Sequence, residues 1–175
     1  MPEKYIAFLR AINVGGTKII KMETLRAMFE SFGYSNVQTY IQSGNVIFET
    51  EESVDVEAAL EQRLEKALGY KVQTFIRTMD DIKKIAVKPP FEPGDEETLF
   101  VVFTRRQGVK RDLEQNLLSF KSEADDFAIK GSEIYNLRRD KDKSIFSNNF
   151  IEKTLKIEAT TRNLTTIRKI AGKFG

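Results

Sequence analysis

The spacing of hydrophobic residues divides the first half of the chain into alternating strands and helices. Residues 4–12 are apolar at both odd and even positions, which is typical of a strand buried on both faces. Apolar residues at helical spacing predict a helix over 21–32 that ends at Gly33, and Ser53 is expected to cap a second helix. Further strands are predicted over 36–41, 45–50 and 71–77. The order β-α-β-β-α-β is that of the ferredoxin-like unit.

The same pattern restarts after a proline-rich stretch. Thr78 to Asp81 resemble a capping box and predict a short helix. Three of the four prolines lie within 89–93, which predicts a linker over 88–97. Strands then follow over 98–104, 126–130 and 133–138, with helices over 109–120, 145–156 and from about 163. We therefore predict an α+β protein of two consecutive ferredoxin-like βαββα(β) halves, with an extra C-terminal helix and with domains at 1–87 and 98–175.

The opening strand of each half raises the question of what covers its second face. A lone ferredoxin-like sheet carries helices on one face and water on the other, which predicts alternating apolar and polar residues. Residues 5–12 and 99–103 do not alternate. We expect the second face to be covered by the other half, by the extra helices or by a partner in a homodimer.

The composition excludes several kinds of chemistry. The 175 residues include no Cys and no His, which excludes disulfides, thiolate or imidazole metal sites and the Ser-His-Asp triad. The acidic run from Glu49 to Glu57 fits no EF-hand spacing. We therefore expect no metal and no cofactor, and any site must use Arg, Lys, Asn, Gln, Ser, Thr, Tyr, carboxylates or backbone N–H groups.

The net charge of +2 is unevenly distributed. Residues 130–175 carry a net charge of +6, and residues 1–129 carry −4. A basic C-terminal third can meet phosphates or an acidic partner, or it can be an ordinary solvated surface. No apolar run approaches the roughly 20 residues of a membrane span, and the N-terminus lacks the pattern of a signal peptide. A cytoplasmic protein without a membrane partner is predicted.

The first candidate binding segment connects the first strand to the first helix. Paired glycines let backbone N–H groups approach a ligand closely, and lysines near a helix N-terminus favour an anion. The glycine spacing is neither that of a P-loop nor that of a dinucleotide fingerprint. The alternative is a flexible connection whose glycines only satisfy turn dihedrals. The candidate ligand-binding residues are Arg10, Asn13, Gly15, Gly16, Lys18 and Lys21.

The second candidate segment is the predicted hairpin turn from Gln42 to Asn45. Glycine and asparagine suit a turn that needs positive φ, so the turn alone accounts for Gly44 and Asn45. The turn does not require Gln42 or Ser43. We take Gln42, Ser43 and Asn45 as candidate ligand-binding residues.

The third candidate segment precedes the final helix. Thr161 or Asn163 can cap that helix, which places Arg162 at its N-terminus. A cation is unfavourable there unless an anion neutralises its charge. A phosphate, a nucleic acid or a substrate carboxylate would satisfy Arg162. The alternative is an internal salt bridge. Thr161, Arg162 and Asn163 complete the set of candidate ligand-binding residues.

Three blocks of the sequence together resemble the bacterial family called domain of unknown function 1697. They are residues 5–16 with Lys21 and Met22, residues 39–48, and residues 159–163. The resemblance implies duplicated ferredoxin-like halves and no particular activity. The family often has an aromatic residue where Leu164 stands, which implies a weaker stacking platform in this chain.

Three functions are considered. The first is a module that binds nucleic acid or a phosphorylated small molecule through the three blocks. The second is an enzyme for a small anionic substrate, in which Arg10 and Arg162 would hold the anion and Lys18, Tyr40 or a carboxylate would move protons. The third is a non-catalytic interaction or dimerisation module that uses the apolar second face of a sheet.

Overall fold

The computed structural model describes residues 1–10, 12, 19–41, 43–53, 55–105 and 109–175. The first six elements follow the predicted order β-α-β-β-α-β, and a helix comes directly after the last strand. They are β1 (Glu3–Leu9), α1 (Met22–Ser31), β2 (Ser35–Tyr40), β3 (Asn45–Thr50), α2 (Val56–Leu68), β4 (Thr74–Thr78) and the seventh element, α3 (Met79–Val87). The strands form an antiparallel sheet in the order β2-β3-β1-β4, which matches a ferredoxin-like unit.

The second half of the chain repeats this order of elements. It consists of β5 (Thr98–Thr104), α4 (Arg111–Leu118), β6 (Asp125–Lys130), β7 (Glu133–Arg138), α5 (Asn148–Leu155), β8 (Ala159–Asn163) and α6 (Leu164–Phe174). The second sheet is antiparallel in the order β6-β7-β5-β8, so the two sheets have the same topology. The predicted α+β fold with two ferredoxin-like halves and a C-terminal helix is confirmed. None of the helices within the described ranges is long and apolar enough to cross a bilayer.

Each sheet has a hydrophobic core on the face where its helices pack. In the first sheet, Phe29 of α1 lies edge-on to Phe48 of β3, with ring centroids 5.6 Å apart. Leu60 and Leu64 of α2 are fully buried in the same cluster. The second sheet has its own core, built from α4, α5 and the sheet: Val102, Leu117, Phe127, Ile134, Ile151 and Leu155.

The second face of the opening strands is buried as well. Ile6 and Phe8 on β1, and Val101 and Phe103 on β5, are all 0% exposed. The prediction that these strands are buried on both faces is confirmed. These four side chains are therefore buried within the chain itself.

One local prediction is wrong. Helix α2 begins after Asp55, not after Ser53, and Asp55 takes a left-handed conformation without a side-chain capping hydrogen bond. The last strand of the second half, which the predicted βαββα(β) order left optional, is present as β8 over 159–163. The predicted cap of α3 is confirmed, because the Thr78 hydroxyl accepts a hydrogen bond of 3.1 Å from the Asp81 backbone N–H.

The chain forms two compact units whose limits fall inside helices. The first unit comprises Met1–Lys83 together with Ile170–Gly175, and the second comprises Lys84–Lys169. Within the first unit, Lys4 Nζ donates a 2.9 Å hydrogen bond to the Phe174 carbonyl. The Phe174 ring also meets Tyr40 edge-on at 6.1 Å. The last turn of α6 is therefore part of the first unit.

The proline-rich stretch 88–97 lies within the second unit. Arg168 of α6 binds both carboxylate oxygens of Glu92, at 2.8 and 2.9 Å. Its Nε also donates to the Ala86 carbonyl at 3.1 Å. This stretch is therefore attached to the body of the second unit by a bidentate ion pair.

Candidate functional site

Asn45 organises the hairpin turn between β2 and β3. It is 0% exposed, and its Nδ2 donates to the Tyr40 carbonyl at 3.0 Å and to Ser43 Oγ at 2.9 Å. These two bonds account for Asn45 through the turn itself, as the sequence also allowed. Gln42, the other candidate in this block, lies outside the described residues.

The hairpin turn packs against the end of β1. The Leu9 backbone N–H donates to the Gly44 carbonyl at 2.9 Å. Gly44 has φ +82°, and a Cβ built on it would lie 2.9 Å from Ile12 Cδ1 and 3.1 Å from Leu9 Cβ. Both the backbone conformation and the space at this position therefore require glycine. The contact brings the first two sequence blocks together.

Two basic candidate residues of the first block, Arg10 and Lys21, lie within the described part of the chain. Arg10 directly follows β1, is partly buried, and donates its backbone N–H to the Gln73 carbonyl at 2.9 Å. Lys21 is exposed and is the N-cap residue of α1, where its side chain makes no capping hydrogen bond. The remaining candidates of this block, Asn13, Gly15, Gly16 and Lys18, lie outside the described residues.

The third block lies on β8 in the second unit and makes local hydrogen bonds. Asn163 Oδ1 accepts from the Thr166 N–H at 2.8 Å, so Asn163 is the cap of α6. Thr161 Oγ1 donates to Asn148 Oδ1 at 2.8 Å. Arg162 Nη1 donates to Thr160 Oγ1 and to the Thr161 carbonyl, both at 2.9 Å. Arg162 as a whole residue is partly buried, and the desolvation of its guanidinium lowers its pKa to about 10, so it stays charged at neutral pH.

The comparisons with known proteins agree with the observed fold. A family model described as "Protein of unknown function (DUF1697)" matches residues 2–135. The chain belongs to this family. The matched residues include the first two blocks and the contact between them, but not residues 159–163.

A solved structure is similar to this DUF1697 chain over almost its full length. It is that of the conserved bacterial protein SP0830 from Streptococcus pneumoniae, with a TM-score of 0.69 and 23% sequence identity, covering 98% of each chain. At this identity the likeness shows the fold alone. No curated protein matches the chain.

Because the two sheets of this DUF1697 protein have the same topology, their strand pairing shows which residues at the strand ends are equivalent in the two halves. Leu9 pairs with Thr74 in the first sheet, and Thr104 pairs with Ala159 in the second. The Thr104 N–H donates to the Ser132 carbonyl at 3.2 Å, as the Leu9 N–H does to Gly44. The residues next in sequence are therefore equivalent too: Arg10 corresponds to Arg105, and Gln73 corresponds to Glu158.

This equivalence reveals a difference in charge between the two halves. In the second half, Arg105 Nη2 lies 3.3 Å from Glu158 Oε2, so a carboxylate neutralises the strand-end arginine. In the first half, the position of Glu158 holds the neutral amide of Gln73. The Gln73 Oε1 atom is buried and has no hydrogen-bond partner within the described ranges. At this pair of positions the first half therefore has an arginine and a neutral amide, whereas the second half has an arginine and a carboxylate.

A repeat near the end of each half was missed from the sequence. Residues 77–86 read RTMDDIKKIA and residues 162–171 read RNLTTIRKIA, which are identical at five positions. Arg77 pairs with Ile6 as Arg162 pairs with Val101, and Arg77 is 1% exposed, with Nη1 donating to the Ile76 carbonyl at 3.0 Å. An arginine before the last helix is thus common to both halves, which offers a structural explanation for Arg162. Leu164 is 3% exposed and is not a surface platform.

Charge along the chain also distinguishes the first two blocks. Residues 4–22 contain four basic residues and no Asp or Glu, and residues 31–48 contain no charged residue. Of the four basic residues, Lys4 lies at the other end of β1, opposite Glu49, and Lys18 lies outside the described residues. On the neighbouring strand, the Thr74 N–H opposite Leu9 donates to Glu61 Oε1 at 2.8 Å, so a carboxylate also lies near this end of the sheet.

Proposed function

We propose that this protein is cytoplasmic and that it binds a phosphate-containing ligand, either nucleic acid or a phosphorylated small molecule, at the end of β1 in the first unit. Among the described residues, the binding residues would be Arg10, Lys21 and Ser43. For brevity we call this set the β1-end site. We also propose that the two ferredoxin-like halves arose by duplication and that only the first half binds the ligand.

The main observation behind the proposal is that the first half has Gln73 at the position where the second half has Glu158. A carboxylate next to a strand-end arginine would compete with a ligand phosphate for the same guanidinium. The second half has this carboxylate at 3.3 Å from Arg105, whereas the first half has an amide. Hydrogen bonds between charged groups contribute about 1.5–3 kcal/mol, so a neutral residue at position 73 favours an incoming anion.

The N-terminus of α1 suits an anion, but α4 in the second half also begins at an uncapped lysine, Lys110, so this feature does not distinguish the two halves. The N-cap residue of α1 is Lys21, which supplies no side-chain acceptor for the first N–H groups of the helix. Ser, Thr, Asp and Asn are preferred at this position, and a cation near a helix N-terminus is unfavourable. A bound phosphate would accept hydrogen bonds from these N–H groups and offset the charge of Lys21.

The test is the substitution Gln73→Glu, with Glu158→Gln as its matched control. Binding of a fluorescein-labelled single-stranded oligonucleotide and of inorganic pyrophosphate would be measured at low salt for both variants. We expect Gln73→Glu to weaken binding at least about tenfold, which corresponds to ~1.4 kcal/mol, and Glu158→Gln to leave it unchanged. For the oligonucleotide, log affinity should fall with log salt by about 0.7 per phosphate contacted.

Two outcomes would overturn the proposal. One is a wild-type protein that binds neither probe in a salt-dependent way. The other is a folded Gln73→Glu variant that binds both probes as tightly as the wild type does. A simple preliminary measurement is the ultraviolet spectrum of the purified protein, since five Tyr and no Trp give weak absorbance near 280 nm, and a copurified nucleotide would dominate at 260 nm.

A further inference from the structure

Each of the two sheets has two edge strands, and side chains of helix α2 occupy the outer edge of β4. The Thr74 N–H donates to Glu61 Oε1 at 2.8 Å, and the Ile76 N–H donates to Glu57 Oε2 at 2.9 Å. The two glutamates stand four residues apart and therefore lie on the same face of α2. An edge whose N–H groups are already bonded to carboxylates is closed to a further strand.

The edges of β8 and β2 are closed in two other ways. The Ala159 N–H on β8 donates to Glu152 Oε2 at 3.0 Å, and the Ala159 carbonyl accepts from Asn148 Nδ2 at 2.9 Å. Strand β2 has a register shift against β3 between residues 35 and 38, where Asn36 has φ +49°. Such a bulge bends the strand and makes its edge a poor template for pairing.

Strand β6, the remaining edge strand, pairs with β7 over Asp125–Lys130 without a register shift. The Arg139 N–H donates to the Ala124 carbonyl at 2.7 Å, which fixes the phase of the antiparallel hydrogen bonds. Because these bonds alternate along the strand, the backbone groups of residues 125, 127 and 129 point away from β7.

The second half of this outer edge is open. The N–H and carbonyl of Asp125 are bonded to Ser122, and the Phe127 N–H donates to Asp126 Oδ1 at 2.9 Å. Within the described part of the chain, the Phe127 carbonyl and both backbone groups of Ile129 make no hydrogen bond to another element. A further strand could therefore pair with β6 at residues 127 and 129.

The sequence of β6 is complementary to itself in one antiparallel register. When Phe127 faces Ile129 of a second copy, their outward backbone groups pair, and Asp126 faces Lys130 of that copy. This opposite-charge pair forms twice, at positions without backbone hydrogen bonds, where facing Cα atoms are about 4.5 Å apart. Moving the register by one hydrogen-bonded step in either direction no longer places Asp126 opposite Lys130.

The surroundings of Asp126 and Lys130 suit this pairing. Lys130 is exposed. Asp126 binds Arg139 at 3.2 Å, and its Oδ1 lies 3.5 Å from Lys121, which is 51% exposed and could give way to Lys130 of a second copy. Residues 119–139 contain four basic and four acidic residues, so two copies of this region would not repel each other through net charge.

We propose that two copies of the chain associate through β6, antiparallel and in this register, and that their two four-stranded second sheets join into one sheet of eight strands. The inference is independent of the proposed phosphate binding, because the β1-end site belongs to the first unit and β6 belongs to the second. A symmetric pairing uses the same edge of both copies, so the association should stop at the dimer.

The test is sedimentation velocity of the full chain over a wide range of protein concentration. We expect the wild type to change from monomer to dimer as the concentration rises. Lys130→Glu places a carboxylate opposite Asp126 in both pairs and should weaken the dimer at least about tenfold, because facing like charges are destabilising. Lys141→Glu is the matched control: it makes the same charge change at an exposed position outside β6 and should leave the dimer unchanged. Circular dichroism confirms that both variants are folded.

Amide hydrogen exchange identifies the strand that forms the contact. The Ile129 N–H should exchange quickly in dilute protein and slowly at concentrations where the dimer forms. A wild type that stays monomeric at every concentration would overturn the proposal, in favour of a strand from another protein or of no partner. A dimer that Lys130→Glu leaves intact, or in which Ile129 exchanges as fast as in the monomer, would also overturn it, because another surface would then form the contact.

Discussion

Substitution of Gly44 by alanine tests the contact that joins the first two sequence blocks. Gly44 has φ +82°, and an added Cβ would lie 2.9 Å from Ile12 Cδ1 and 3.1 Å from Leu9 Cβ. Leu9 and Ile12 are 1% and 2% exposed, so neither can move aside into solvent. Gly44→Ala should therefore strain the backbone and overpack the end of β1 at the same time.

The expected loss of stability has two parts. An alanine in the left-handed region is disfavoured by roughly 1–2 kcal/mol, and an extra methyl group in a packed site costs about 1–3 kcal/mol. Together they lower the free energy of unfolding by about 2–5 kcal/mol. Gly131→Ala is the matched control, because Gly131 has φ +64° in the second hairpin turn and has no atom within 4 Å of its Cβ position. Gly131→Ala should show only the backbone part.

Urea denaturation followed by circular dichroism and tyrosine fluorescence measures both variants against the wild type. The difference between the two variants should be about 1–3 kcal/mol and isolates the contact with Leu9 and Ile12. If Gly44→Ala and Gly131→Ala lower the free energy of unfolding equally, the inference that the turn packs closely on β1 is refuted. If Gly44→Ala is also less able to bind the phosphate probes, the contact matters for the proposed site as well.

Three further predictions concern stability. Lys156, the exposed C-cap of α5 with φ +53°, occupies the place that Gly69 has after α2, so Lys156→Gly should stabilise the protein by about 1 kcal/mol in urea titrations; a loss of stability would contradict this. The hydrogen bond from Arg168 holds the pKa of Glu92 below its usual value, so the ionised pair contributes its stability above the pKa of the unfolded chain and loses it as the pH falls through the lower, folded pKa. The melting temperatures of wild type and Glu92→Gln, compared from pH 7 down to pH 3, should therefore converge at the acid end, and a difference that grows at low pH would refute the pair. Asp125 is 1% exposed, and its carboxylate accepts from Asn136 Nδ2, Ser144 Oγ and the Ile145 N–H; Asp125→Ala should lower the free energy of unfolding by about 3 kcal/mol or more, because it leaves buried donors unpaired, and a loss under about 1 kcal/mol would contradict that role.

The elements with strong hydrophobic periodicity could be predicted from the sequence. Strand β1 and helix α2 have apolar residues at every core position, and the structure places them within a few residues of the prediction. Strand β8 could not be predicted, because its sequence, ATTRN, has one apolar residue and no alternation. It is a strand because β5 offers it a pairing edge, with Phe103 opposite Thr160 and Val101 opposite Arg162. Such pairing is a tertiary effect that local composition does not show.

The candidate site could be predicted only in part, for a similar reason. The sequence selected Arg10 and Ser43, and the contact of Gly44 with Leu9 brings their segments together. The significance of Gln73 became visible only through the register of the two sheets. Arg105 follows Arg10 by 95 residues, but Glu158 follows Gln73 by 85. Because the spacing within the two halves differs by ten residues, no single alignment offset reveals both equivalences.

The contact of Phe174 with Tyr40 and Lys4 has a consequence for how the protein is made on the ribosome. A domain at the N-terminal end of a chain usually completes its folding before the following domain has been synthesised. Here, residues 170–175 belong to the first unit, although 86 residues of the second unit precede them. The first sheet can form early during translation, but Phe174 can reach Tyr40 only after the second unit has been synthesised. A nascent chain stalled before residue 170 would therefore expose Tyr40 and leave the Lys4 ammonium without its carbonyl acceptor, Phe174.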